Sequence, residues 1–448
     1  MKSPAGEKSE VPWASPSGGS QEQEDGDVPS LGLESGERVL TAVRIRPMSI
    51  REHRDQSRPI ILVDDEDDSK SGEVVLLDPT YFSRKRDYER SFYERVFRYD
   101  HHFLPESTQE EVFDAIGKPL LRHSFDGYNS SLMVYGQTGS GKTYTMIGDQ
   151  GDTSESGVPG ADEVEEESSL EGVAPRLAKA LLKEAHLRHD RATGEHKEIQ
   201  GEPITSAGNL ILVEAKVLAT FYEIYNEKIY DLLTEDHHEP RRIREHPEMG
   251  AYVEGLSRFQ IKSFKDAEGL LEVGLENRQV AETRMNKLSS RSHAVFTLYL
   301  VQKLQDPKHA RESSRRGDKG GGGKDVYMER HSKITLVDLA GSERVSMTGA
   351  TGERLVEANN INRSLSTLSD VIKALADKGL AAIREREREA REGQDDDPLN
   401  ATSDSLKSLV NSASKTNNIF VPYRNSALTW LLKDCLGGNA RTVILANI

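Results

Sequence analysis

Apolar and polar positions first fall into a regular pattern at Val39. Val39, Thr41, Val43 and Ile45 alternate with Leu40, Ala42, Arg44 and Arg46, the period of a strand, and Pro47 ends it. Val74–Leu77 and Glu94–Tyr99 read as further strands. At Gln109 the period lengthens into a helix that runs to about Phe125, with Thr108 as its N-cap. Leu132–Tyr135 is a short unbroken apolar run, as expected of a strand buried on both faces. A helix near Pro175–Ala185, a strand over Val217–Tyr225, a turn at Asn226-Glu227 into Lys228–Leu233, and a helix over Ser263–Asn277 follow. Ala294–Val301 and Lys333–Val337 are strands. Ile361, Leu365, Leu368, Ile372 and Leu375 then recur at alternating spacings of four and three, the apolar stripe of a helix that Arg384–Glu389 can extend. Leu428, Leu431, Leu432 and Cys435 face inward from a last helix after Tyr423, and Thr442–Asn447 is an apolar strand. Strands alternating with helices predict an α/β fold, a mostly parallel central sheet covered by helices on both faces.

Composition adds the interruptions. Hydrophobic residues make up 35% of the 448-residue chain and the mean hydropathy is −0.63, low for a chain packed throughout. The deficit is assigned to a polar, acidic arm over residues 1–37, expected to be disordered, and to polar insertions near 149–172, 186–210, 304–330 and 377–418 of one domain spanning 38–448. The formal net charge of −16 argues against nucleic acid as a partner and requires any acidic partner to meet a local basic face. No apolar run reaches membrane-spanning length, so no membrane contact is expected of this segment, and the N-terminus has no hydrophobic signal region. The single cysteine, Cys435, excludes an internal disulfide and suits the cytoplasm.

The chemistry concentrates after the Leu132–Tyr135 strand. Gly136-Gln137-Thr138-Gly139-Ser140-Gly141-Lys142-Thr143 is G-x-x-x-x-G-K-[ST] in a strand–loop–helix context, the pattern of a phosphate-binding loop. Glycines let successive backbone N–H groups curl around an anion, and the helix N-terminus adds its own donors. Lys142 is placed to reach the β- and γ-phosphates of a nucleotide and Thr143 to offer its hydroxyl to Mg²⁺. Two further stretches suit the same chemistry. Asp338 closes an apolar strand in Leu336-Val337-Asp338-Leu339-Ala340-Gly341-Ser342-Glu343, placing a carboxylate for a metal-bound water and a side-chain-free N–H at Gly341 for a γ-phosphate. Asn286-Lys287-Leu288-Ser289-Ser290-Arg291-Ser292-His293 offers adjacent hydroxyls and an arginine suited to a carboxylate.

Together these three stretches, in this order, resemble the motor domain of kinesins. The resemblance continues in Arg44-Ile45-Arg46-Pro47, Phe221–Leu233, Ile361–Leu368 and Val421–Thr442, and spans Arg38 to Ile448. Arg242–Ser257 and Leu428–Leu432 are most similar to the third, vesicle-transporting kinesin family. The resemblance implies a microtubule-stimulated ATPase with ATP and Mg²⁺ at the site, associated with microtubules of the cytoskeleton. In it Arg44, Pro47 and Tyr144 frame the adenine, and Gly136 to Thr143 cradle the phosphates. Thr143 and Ser290 ligate Mg²⁺, with Asp338 behind it through water. Asn286, Ser289 and Gly341 watch the γ-phosphate and the attacking water, and Arg291 and Glu343 close as a latch when ATP is bound. The stripe helix lies on the microtubule, with Arg354, Arg363, Lys373 and Arg424 aimed at acidic tubulin.

Three departures qualify that picture. Alternating Arg and Glu, then Asp395-Asp396-Asp397, stand where the third family usually carries a lysine-rich loop. Ala427 and Trp430 replace basic track contacts of several kinesins. The sequence stops at Ile448, inside the last core strand, so the resemblance implies a motor domain lacking its last helix, the neck linker and any cargo domain. A nucleotide-gated microtubule protein that anchors or regulates without moving is therefore the alternative expectation.

Overall fold

The computed structural model describes residues 39–63, 72–78, 94–149, 170–193, 211–247, 250–285, 291–305, 327–343, 353–392, 419–437 and 440–448. In chain order the strands are β1 (Val39–Arg44), β2 (Ile61–Val63), β3 (Glu73–Leu77), β4 (Glu94–Arg98), β5 (His101–Phe103), β6 (Asn129–Tyr135), β7 (Ile211–Tyr225), β8 (Lys228–Asp231), β9 (Pro240–Arg241), β10 (Ile243–His246), β11 (Gly250–Val253), β12 (Phe259–Ile261), β13 (His293–Gln305), β14 (Tyr327–Asp338) and β15 (Ala440–Asn447). The helices are α1 (Ile50–Arg54), α2 (Gln109–Val112), α3 (Lys118–Phe125), α4 (Lys142–Met146), α5 (Val173–Thr193), α6 (Phe264–Met285), α7 (Glu353–Glu392), α8 (Ala427–Leu431) and α9 (Lys433–Leu436). A π-helical turn, Phe113–Gly117, joins α2 to α3. Thr108 caps α2 in a reciprocal box with Glu111, as the sequence predicts.

Ten strands form the central sheet in the order β5-β1-β15-β6-β14-β13-β7-β8-β9, with β12 on β7. The expectation of a mostly parallel sheet is corrected by this pairing. β5, β1, β15, β6 and β14 pair parallel with one another, whereas β13 is antiparallel to β14 and β7, and β8, β9 and β12 also pair antiparallel. The sheet is mixed because β7 turns directly into β8 and β13 pairs antiparallel along its length with both β7 and β14. Its two faces bury separate clusters. Leu132 and Val134 of β6 join Leu121, Phe125, Leu177 and Leu181 on one face, while Met133 joins Val337, Val371, Leu428 and Leu432 on the other. A strand covered on both sides needs no polar alternation, which is why its sequence is an unbroken apolar run.

Several elements outrun their sequence limits. Residues 186–193 continue α5, β7 begins at Ile211, and α7 runs on through residues 377–392, where an insertion was expected but where Arg384–Glu389 can also extend the helix. The inward residues of the last helical stretch are buried as expected, but across two short helices rather than one. At the β7–β8 turn, Asn226 (φ 51°) and Glu227 (φ 63°) both adopt left-handed backbone, the demand of a tight two-residue hairpin. The turn is held from outside: Asn226 Oδ1 accepts from Asn360 Nδ2 on α7 at 2.5 Å, and Glu227 Oε2 accepts from the Ala427 N–H of α8 at 2.7 Å.

Candidate active site

β6 delivers the phosphate loop at its C-terminal end, where the parallel half of the sheet opens. Gly139 (φ 80°) and Gly141 (φ 91°) take left-handed backbone that other residues adopt only with strain. A Cβ on Gly136 would lie 2.3 Å from the Asn447 carbonyl oxygen and 2.5 Å from Ser140 Oγ, so the loop is wedged against β15. Lys142, 8% exposed, folds over the loop and donates to the carbonyls of Gly136 and Gln137, each at 3.0 Å. Burial pulls its pKa below the ordinary value, opposed by the charges of Asp338 and Glu343.

Asp338, at the end of β14, accepts from Thr143 Oγ1 at 2.9 Å and from Arg278 Nη1 at 3.2 Å through the same oxygen, Oδ2. Its other oxygen, Oδ1, is buried without a protein partner, as is Ser140 Oγ. A buried carboxylate oxygen with no donor, beside a threonine hydroxyl, suits an Mg²⁺-bound water. Arg278 of α6 also donates to the Ser292 carbonyl at 3.1 Å, so one guanidinium fixes both Asp338 and the residue after Arg291.

Glu343 turns back over the loop. Its carboxylate accepts from the Thr138 backbone N–H at 3.1 Å and from Thr138 Oγ1 at 2.6 Å. Burial alone would raise this carboxyl's pKa, but the Thr138 bonds and the Lys142 charge hold it below the ordinary value. A Cβ on Gly341 would fall 2.3 Å from Glu343 Oε2 and 2.6 Å from Thr138 Oγ1, so only glycine permits this approach. Arg291 does not meet Glu343 in this structure. Its Nη1 donates to Glu357 Oε2 on α7 at 3.0 Å, beside Tyr225, whose pKa burial and the Glu357 charge push up to about 12. The two expected halves of the latch are thus held by other partners.

Arg44 departs from its expected place. It is buried, donating to Gln109 Oε1 at 2.8 Å and Thr145 Oγ1 at 3.0 Å, with its guanidinium 5.3 Å from the Tyr144 ring. Asn447 Nδ2 meets the same Thr145 hydroxyl at 2.8 Å. Arg44 therefore braces α4 from beneath, leaving Pro47 and the Tyr144 ring at the surface. Arg363 and Lys373 are exposed on α7, whereas Arg424, exposed and near the Trp430 ring, is ion-paired to Glu245. Asn286, Ser289 and Ser290, and the side chain of Arg354, lie outside the described residues. Sequence reasoning missed Arg278 and Glu357, each a single charge on a helix with no motif around it.

Strand, glycine loop, short helix and the acid at the neighbouring strand's end define a phosphate-loop nucleotide-binding domain. A family model of the kinesin motor domain matches residues 44–448, and the chain belongs to that family. It is 38% identical over 420 residues to human kinesin-like protein KIF13B and 36% identical over 418 residues to mouse kinesin-like protein KIF1B. Each alignment covers 92% of this chain and 18% of the relative, so the chain spans about a fifth of the length of these relatives. Both are members of the third kinesin family, as the sequence resemblance predicted. Among solved structures, KIF14 with ADP in complex with a microtubule superposes with a TM-score of 0.61 at 31% identity, over 92% of this chain and 90% of that one.

Proposed function

We propose that this chain is a microtubule-stimulated ATPase that couples ATP hydrolysis to movement along microtubules. The observation that carries the reading is one run of contacts. Thr143 of the phosphate loop bonds Asp338, Arg278 ties Asp338 to Ser292, and the adjacent Arg291 bonds Glu357 on α7. The nucleotide site and the helix proposed to lie on the track are therefore joined through protein.

The N–H groups from Gly139 to Thr143 bind the phosphates, and Lys142 leaves its loop carbonyls to meet the β- and γ-oxygens. Thr143 Oγ1, and Asp338 through water, are the residues that would hold Mg²⁺, joined by Ser290. Bound there, Mg²⁺ supplies charge neutralisation for the phosphate oxygens. The Gly341 N–H receives the γ-phosphate once Glu343 leaves Thr138. Glu343 then takes Arg291 from Glu357, which closes both loops over the reacting phosphate and releases the first turns of α7. Arg363, Lys373 and Arg424, with Arg354, present positive charge to acidic tubulin, Arg424 by exchanging Glu245 for it.

The deciding experiment compares ATP turnover with and without microtubules and adds a filament-gliding assay. Turnover is expected to rise with microtubules and to vanish in Lys142→Ala. Turnover indifferent to microtubules, or retained in Lys142→Ala, overturns the proposal, and stimulation without gliding would make the chain a nucleotide-gated anchor.

A further inference from the structure

His293 is the first residue of β13, directly after Arg291-Ser292, and is 3% exposed. Both ring nitrogens are bonded. The Ala340 backbone N–H donates to Nδ1 at 2.9 Å, and Nε2 lies 2.7 Å from Ser364 Oγ on α7. Ser364, 2% exposed, also lies 2.7 Å from the Ile361 carbonyl oxygen, as its donor.

These contacts allow one arrangement of protons. Nδ1 accepts from a backbone N–H, so it carries no hydrogen, and a neutral ring must then carry its proton on Nε2. Nε2–H donates to Ser364 Oγ, whose own hydrogen is committed to the Ile361 carbonyl. Burial, with the nearby Arg278 charge, pushes the ring's pKa down to about 3, which keeps it neutral and this direction fixed. Every member of the chain is buried, so water cannot substitute for a broken link, and each lost bond leaves a polar group unpaired.

Its endpoints give the chain meaning. Ala340 immediately precedes Gly341, the proposed γ-phosphate sensor, and Ser364 sits on the helix proposed to face the track. We infer that His293 is a positioning residue that ties the Gly341 loop to α7 through Ser364, so that displacement of the loop by nucleotide is passed to the helix. This rests on the motor reading above only for what α7 touches. The link itself requires nothing but nucleotide binding. It differs from Arg291–Glu357, which the motor reading breaks in the closed state, because transmission requires the His293 chain to hold in both states.

Hydrogen exchange of the α7 amides over residues 361–368 tests it, measured with ADP and with a non-hydrolysable ATP analogue, each with Mg²⁺. In the unmodified chain the analogue is expected to change protection there. Ser364→Ala should cut that change at least threefold, and Ser364→Thr, which keeps a hydroxyl, should restore most of it. His293→Asn retains an acceptor for the Ala340 N–H but cannot reach Ser364, so it should match Ser364→Ala, and the double variant should be no worse, as expected when both remove one bond. Should Ser364→Ala fail to fold, His293→Asn breaks the same bond from the other side and decides the question. A folded variant of either kind with the full nucleotide-dependent change, or an unmodified chain with none, overturns the inference. In parallel, the ratio of microtubule affinities in analogue and in ADP should fall at least threefold in Ser364→Ala. Exchange behaving as expected while the unmodified chain ignores microtubules would sink the motor reading and leave the link standing.

Discussion

Two arginine–carboxylate pairs sit within the same site and face opposite conditions. Arg278 and Asp338 are sealed, with side chains 5% and 6% exposed, whereas Arg291 and Glu357 stand at the rim, 32% and 12% exposed. In the sealed pair removal of either partner strands a charge in the interior, and water cannot compensate. At the rim, water reaches the Arg291 guanidinium, so breaking the pair costs less there than in the interior. Nearly the same chemistry is therefore sealed in one place and open to water in the other, and the exchange proposed for Arg291 belongs to the open one.

Breaking the sealed pair should have the largest effect. Arg278→Ala leaves Asp338 buried without its cation and frees Ser292, and a loss of about 3–5 kcal/mol in stability is expected. Thermal melting checks it, and a shift under ~2 °C would show that Asp338 is solvated by other means. Arg278→Lys should recover only part, because an ammonium cannot span Asp338 and Ser292 in one plane.

Acid provides the next test of the sealed region. The folded chain resists protonating His293 down to about pH 3, while the unfolded chain takes up a proton near pH 6.5. Stability contributed above pH 6.5 is therefore lost as pH falls toward 3, reaching about 2 kcal/mol by pH 5. Melting temperature between about pH 7.5 and 5 should fall less steeply in His293→Asn than in the unmodified chain, and parallel slopes would remove His293 as the cause.

The smallest stability effect belongs to the rim. Glu357→Gln and Arg291→Ala should each change stability by less than about 1 kcal/mol. Kinetics should separate them: Arg291→Ala and Glu343→Ala should each slow hydrolysis sharply, with the double variant far less than additive, while Glu357→Gln should leave hydrolysis intact. Additive losses for Arg291 and Glu343 would mean that they never share a closed state.

The contrast also explains what could be read in advance. The phosphate loop was legible because its glycines, lysine and threonine fall within eight consecutive positions in a fixed pattern. Arg278 was not, since its partner lies 60 residues away and α6 carries no pattern that singles it out. Sequence patterning shortens β13 and β14 because Gln302–Gln305 and Tyr327–Ser332 are largely polar, yet the two strands pair with each other residue by residue to Gln305 and Tyr327. Backbone pairing asks nothing of side-chain polarity. Residues 377–392 are a mixed case: the helix extension allowed by Arg384–Glu389 is present, although an insertion from 377 was also expected once the apolar stripe ended.

The length of α7 has a mechanical corollary. Its 40 residues span about 60 Å at ~1.5 Å per residue, far more than the stretch seated on the sheet. The helix is held by Glu357, Asn360 and Ser364 and is packed against the core on through Val371 and Leu375. Glu392 stands about 25 Å beyond Leu375, so a tilt of about 5° there would sweep Glu392 through about 2 Å. A rigid helix of this kind would magnify any small rotation at its seat, with gain set by the number of helical turns past the last packed residue.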